Sequence, residues 1–245
     1  MGAIKLSNVT KEFSRPNGET LRVLENVSFD AEDRSFTSIL GPSGCGKSTI
    51  LNLIARLDTH SSGSIDVDGS RIGLVFQQPR LLNWRTVAEN VCLPLEGRKL
   101  DRSALRSLAE KYLAIVGLTG YENYYPLQLS GGMQQRVAIA RALAIDPDVL
   151  LMDEPFSGLD EITARKLRQE LIQIWQQTGK TIVFVTHSIS EAVFLSQQIL
   201  IVSAKPATIF KRIAIDLPYP RDYGDLRLFE LQTALTEDFL RMGAL

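Results

Sequence analysis

Residues 41–48 read Gly41-Pro42-Ser43-Gly44-Cys45-Gly46-Lys47-Ser48, which fits the pattern G-x-x-x-x-G-K-[ST]. A short apolar run, 36–40, precedes it, and behind it Ile50, Leu51, Leu53, Ile54 and Leu57 recur at helical spacing. Strand, glycine loop and helix is the context this pattern's chemistry requires. Glycines let successive backbone N–H groups turn toward phosphate oxygens, and the helix N-terminus adds a favourable dipole. Lys47 would reach the β- and γ-phosphates, and Ser48 would place its hydroxyl on Mg²⁺. Average residue usage makes a chance match in a chain of this length an event on the order of one per cent. A plain strand-to-helix turn does not explain Lys and Ser directly after the last glycine. The loop therefore predicts nucleotide binding through Gly41, Ser43, Gly44, Cys45, Gly46, Lys47, Ser48 and Thr49.

A second acidic element follows downstream. In Val149-Leu150-Leu151-Met152-Asp153-Glu154-Pro155, two carboxylates stand where a buried strand emerges. Asp153 suits orientation of Mg²⁺, and Glu154 suits a general base that polarises the attacking water. Neighbouring residues on a strand point to opposite faces, so residue order alone leaves open whether both serve one site. Between loop and strand lies Leu129-Ser130-Gly131-Gly132-Met133-Gln134-Gln135-Arg136. Ser130 is a good N-cap for a helix over 133–144, and a helix start of this kind can also hold an anion. By itself such a turn is ordinarily only a cap.

The remaining organisation follows from periodicity. Residues 4–9 and 21–29 alternate apolar and polar on either side of a turn at 14–18, the pattern of an antiparallel flap. Runs 72–76, 149–152 and 181–185 predict buried parallel strands separated by helices. Residues 78–135 predict an inserted helical lobe; within it 103–116 carries Leu105, Leu108, Ala109, Tyr112 and Leu113 on one side. After 199–202, a segment punctuated by Pro206, Pro218 and Pro220 leads to an amphipathic helix near 225–242. The whole reads as a single α/β domain over 1–245, with a C-terminal strand-and-helix segment at about 204–245.

Bulk properties exclude several classes. Lys plus Arg (27) nearly balance Asp plus Glu (28), so no basic field points to nucleic acid. No apolar run approaches the roughly 18 residues a membrane-spanning helix needs, and residues 1–6 carry no signal-peptide core. Cys45 and Cys92 offer neither a disulfide framework nor metal spacing, which suits a reducing compartment. Cys45 reads as a small space-filling residue of the loop rather than a redox centre.

The order of these motifs resembles the ATP-binding cassette (ABC) superfamily, the ATPase engines of membrane transporters, over nearly the whole chain. The resemblance implies a P-loop fold with a RecA-like parallel-sheet core, an N-terminal antiparallel β flap and an inserted α-helical subdomain. It implies ATP and Mg²⁺ as ligands and a head-to-tail homodimer with two ATP molecules between the copies. Each site would take its P-loop from one copy and Ser130, Gly131 and Gly132 from the other. Gln77 is similar to the glutamine that contacts Mg²⁺ and the attacking water, and Ser157-Gly158-Leu159-Asp160 to the D-loop linking the two sites. His187 is similar to the switch histidine on the γ-phosphate, and Phe13 to an adenine-stacking aromatic, although a core role in the flap fits Phe13 nearly as well. Met133 and Ser188 depart from the glutamine and aspartate common at those positions; neither change removes a catalytic group.

Three stretches resemble nitrate, sulfonate and taurine importer ATPases in particular: 76–87, 153–160 and Asp216-Leu217-Pro218-Tyr219-Pro220-Arg221-Asp222. This implies a peripheral subunit on the cytoplasmic face of the inner membrane. Its partners would be transmembrane permease subunits and, indirectly, an extracytoplasmic solute-binding protein. Leu81, Leu82 and Trp84 are candidates either for docking a permease helix or for the lobe's own core. With an end at Leu245, the regulatory domain appended in sugar- or methionine-type relatives is not expected. The alternatives are a soluble ABC-type ATPase uncoupled from transport, which ordinarily carries paired cassettes or a long coiled-coil insertion, and an exporter ATPase.

Overall fold

The computed structural model describes residues 2–16, 18–69 and 71–241. Asn17 of the turn, and Met1 and 242–245 at the ends of the expected domain and final helix, lie outside the described residues. The elements begin with β1 (Gly2–Ser14), β2 (Thr20–Glu32), β3 (Phe36–Leu40), α1 (Lys47–Ile54), β4 (Ser62–Val67) and β5 (Ile72–Val75). They continue with α2 (Val87–Cys92), α3 (Arg102–Ile115), α4 (Gly131–Leu143), β6 (Val149–Asp153) and α5 (Glu161–Thr178). The last are β7 (Thr181–Thr186), α6 (Ile189–Leu195), β8 (Gln198–Val202), β9 (Ile209–Ala214) and α7 (Leu226–Arg241). The chain divides into two compact units, 1–69 with 181–245, and 70–180.

In the first unit, β2, β1 and β4 form an antiparallel sheet. Its core face does not follow simple alternation. Ile4 and Leu6 are buried, then the phase shifts by one and Val9 and Lys11 are buried. The shift sits at Asn8, which adopts φ 49 at a register irregularity between Leu6 and Val9. A left-handed asparagine of this kind is how a bulge inserts one residue. Beside this sheet, β3 pairs in parallel with β7 and β8, and β9 closes antiparallel on β8. All of β3 and β7 is buried, which explains their continuous apolar runs. Helix α1 stops at Ile54, followed by Arg56 with φ 58. Leu57 therefore leaves the helical face on which its spacing places it, and is 64% exposed.

In the second unit, β5 and β6 pair in parallel from Ile72–Val149 to Val75–Met152. Helix α2 opens with a capping box between Thr86 and Glu89. Asp101 caps α3 by accepting from the Ala104 amide at 2.8 Å, and this bond holds its carboxyl below the usual range. On α3, Ala109, Tyr112 and Leu113 are buried while Leu105 and Leu108 are half-buried. Helix α5 is capped by Asp160 at its start and ends on Gly179 in the left-handed region.

Candidate functional site

The phosphate loop leaves the C-terminal end of β3, where Leu40 pairs with Thr186 of β7. The Gly41 amide donates to the Thr186 carbonyl at 3.4 Å. The loop and His187 thus emerge from adjacent strand ends, the edge at which parallel α/β sheets bind ligands. A Cβ on Gly41 would stand 2.4 Å from Val202 Cγ2, so only glycine lets the loop turn off β3 here. Gly44 and Gly46 take φ 73 and φ 126, and α1 starts from Gly46 with no side-chain cap. Such a helix start is suited to an anion. Lys47 is buried, and its Nζ donates to the carbonyls of Gly41 and Pro42, both at 2.9 Å. The ammonium is held over its own loop. Ser43, Gly44 and Ser48 are exposed, and Thr49 is half-buried. Burial pushes the Cys45 thiol up, the condition of an inert space-filling cysteine rather than a reactive one.

Phe13 lies on β1 with 39% of its surface exposed, and Lys11 Nζ sits 4.5 Å from its ring centroid. Lys11 is itself pinned by Asp58 and the Thr59 carbonyl, both at 2.7 Å. This removes the core reading of Phe13. His187 is exposed at the end of β7. Directly after it, Ser188 caps α6 by accepting from the Glu191 amide, while Thr186 Oγ1 donates to Glu191 Oε2 at 2.6 Å. The serine that departs from the family's aspartate thus still works as a helix cap.

In the second unit, Gln77 follows the end of β5 and Asp153 ends β6, and these strands pair in parallel. Gln77 Nε2 donates to Ser157 Oγ at 3.2 Å. Glu154 has φ 43. Strand geometry therefore ends at Asp153, and the opposite-faces rule for neighbouring strand residues does not extend to Glu154. A left-handed glutamate costs on the order of 1–3 kcal/mol, strain of the kind held at functional sites. Ser157 returns its amide to the Glu154 carbonyl at 3.1 Å, closing the turn toward Asp160. Asp160 accepts from the Thr163 amide at 3.0 Å, which lowers its carboxyl pKa.

Ser130 caps α4, accepting from the Met133 amide at 3.3 Å. A Cβ on Gly132 would lie 2.7 Å from Thr163 Cγ2, so glycine lets α4 start against α5. The polar residues that follow brace this turn. Gln134 donates to the carbonyls of Pro126 and Leu129, at 3.0 and 3.2 Å. Gln135, buried, reaches the Phe76 carbonyl at 3.5 Å, one residue before Gln77. Arg136 joins the Val116 carbonyl to Glu170.

Two residues that sequence reasoning passed over organise the segment after Gln77. Buried Asn90 accepts from the Leu82 amide and donates to the carbonyls of Leu82, Arg85 and Thr86. Arg141 holds the carbonyls of Pro79 and Arg80. Neither residue carries a sequence signal for this role, because both bond backbone groups, which every residue has. It leaves Trp84 75% exposed and Leu81 and Leu82 half-buried, so Trp84 is not part of the unit's core.

The groups fit a nucleotide and a hard cation. The glycine turns and the start of α1 suit a phosphate, and Ser48 in the first unit and Asp153 in the second each carry an oxygen donor of the type Mg²⁺ prefers. Among the described residues no group of three or more His, Cys, Asp or Glu could hold a metal by itself. No helix among them is long and apolar enough to cross a membrane.

Residues 24–157 match the family model "ABC transporter". The chain is 44% identical to an aliphatic sulfonates import ATP-binding protein of Bacillus cereus, covering 96% of this chain and 95% of that one. It is 43% identical to a taurine import ATP-binding protein of Rhizobium johnstonii, covering 96% and 92%. Among solved structures, a dimeric post-hydrolysis state of the ATP-binding cassette MJ0796 bound to ADP and Pi is similar, with a TM-score of 0.77 and 36% identity. That likeness covers 88% of this chain and all of the cassette.

Proposed function

The chain belongs to the ABC transporter family of ATP-binding proteins, and from that premise we propose that it powers import of small sulfonated solutes through a separate membrane permease. It has the P-loop ABC ATPase fold and hydrolyses ATP. One observation carries the import reading: similarity to sulfonate and taurine import subunits runs the length of both chains. A soluble uncoupled ATPase and an exporter ATPase are not favoured. Deleting the gene should abolish uptake of radiolabelled taurine or an alkanesulfonate, and supplying the chain should restore it. Unchanged uptake of both solutes in the deletion strain would overturn the sulfonate assignment.

In this reading, residues 1–245 act as one nucleotide-binding domain with 78–135 as its helical lobe. Phe13 stacks on adenine. Gly41, Ser43, Gly44, Cys45, Gly46, Lys47, Ser48 and Thr49 hold the phosphates, with Lys47 moving from its loop carbonyls to the β- and γ-oxygens. Ser48, Asp153 and Gln77 would hold Mg²⁺, which when bound neutralises charge on the phosphate oxygens. Glu154 takes a proton from the attacking water, Gln77 orients that water, and His187 contacts the γ-phosphate. Two copies associate, as the similar cassette's dimer supports; in this reading they do so head to tail, so that Ser130, Gly131 and Gly132 complete the partner's site and Asp160 links the two. Trp84, with Leu81 and Leu82, docks the permease on the cytoplasmic face of the membrane, and a solute-binding protein delivers cargo from the other side.

A further inference from the structure

The turn at 216–222, singled out in the sequence but idle in the ATPase chemistry, folds onto α6. Arg221 is only 6% exposed. One of its terminal nitrogens donates to the carbonyls of Val193 at 2.7 Å, Phe194 at 3.2 Å and Ser196 at 2.8 Å. The rest of the guanidinium returns to the Leu217 carbonyl and packs over the Tyr219 ring at 4.2 Å. Tyr219 OH donates to the Leu195 carbonyl at 2.6 Å. Every described hydrogen-bond acceptor of this buried cation is a carbonyl oxygen, mostly at the C-terminal end of α6, where the helix dipole favours positive charge. Tyr223 stacks on Phe194 at 4.0 Å and covers the same end.

What this end of α6 controls is at its other end. The helix is seven residues long, spanning about 10 Å. Its start is tied to the last residue of β7 by the Thr186–Glu191 bond and capped by Ser188, directly after His187. Ser196, whose carbonyl Arg221 holds, also shares a hydroxyl bond with Ser38 of β3, the strand that feeds the phosphate loop. A short rigid helix pinned at both ends transmits a shift at one end to the other.

We propose that Arg221, supported by Tyr219, is a positioning residue for ATP hydrolysis: it fixes the C-terminal end of α6 and so sets where His187 stands. The proposal rests on His187 being the γ-phosphate contact. A Lys at 221 cannot reproduce the planar fork, so Arg221→Lys is not a conservative change here.

The chain has 2 histidines, so His60 serves as an internal reference in protein carrying ¹³C,¹⁵N-labelled histidine. We expect Tyr219→Phe and Arg221→Lys to shift the His187 imidazole signal and leave that of His60 in place. The same variants should lower kcat, by roughly threefold and tenfold respectively, with KM for ATP within about twofold of wild type. A His187 signal unmoved in folded Tyr219→Phe, or a loss confined to KM, would overturn the proposal. Should Arg221→Lys fail to fold, Tyr219→Phe, which deletes a single hydroxyl, decides by the same criteria. A wild-type protein without ATPase activity would strike the function instead, and the imidazole signal would still decide whether this clamp sets His187.

Discussion

The phosphate loop and the Ser130 turn both open helices, and they do so in opposite ways. Helix α1 starts from Gly46 with no side-chain cap, whereas Ser130 spends its hydroxyl on the Met133 amide at the start of α4. Lys47 turns back on its own loop carbonyls, while Gln134, Gln135 and Arg136 brace the Ser130 turn from outside. One helix start has no side-chain cap, and the other has a serine cap that satisfies one of its amides. In the proposed function the first start binds nucleotide within a single copy, and the second meets nucleotide only across the dimer.

Variants can separate these roles. The largest effect should come from Glu154→Gln, which removes the proposed base: turnover, read as phosphate release, should fall about 10²–10⁴-fold while ATP binding persists. Next, Lys47→Ala should weaken ATP binding by roughly ten- to a hundredfold in calorimetry, the scale of losing charge-assisted bonds to phosphate. An unchanged affinity would break the contrast at its first term. Gly132→Ala forces a methyl toward Thr163 and should cost about 1–3 kcal/mol, seen as a lowered Tm. Thr163→Ser, which removes the opposing methyl, should recover part of that loss. Ser130→Ala should cost about 1 kcal/mol of stability through the lost cap and leave the isolated subunit's ATP affinity as in wild type. A drop in that affinity would mean that Ser130 serves its own copy's nucleotide.

The phosphate loop was legible because its chemistry restricts residue types at consecutive positions, and the buried strands β3, β6 and β7 because burial on both faces demands unbroken apolar runs. The flap was legible only in outline. Neither β4 nor β9 shows an apolar face, since β4 buries Val67 alone and β9 buries none of its residues, so pairing rather than patterning makes them strands. Leu57 was misplaced because the left-handed turn at Arg56 ends the helix, and arginine carries no sequence signal for that conformation. The same holds for Glu154, whose φ of 43 is set by the turn to Ser157. Asn90 and Arg221 were invisible as organisers because both act on backbone carbonyls, which every residue has.

The claim on which the rest depends is that two copies enclose ATP between a P-loop and a Ser130 turn. Sedimentation of the Glu154→Gln variant tests it most directly, with and without saturating MgATP. The account predicts a monomer that becomes a dimer when MgATP is added, and that stays monomeric when Ser130 is also replaced by a bulky residue such as Phe. A Glu154→Gln protein that remains monomeric in saturating MgATP, even with its permease present, would contradict it.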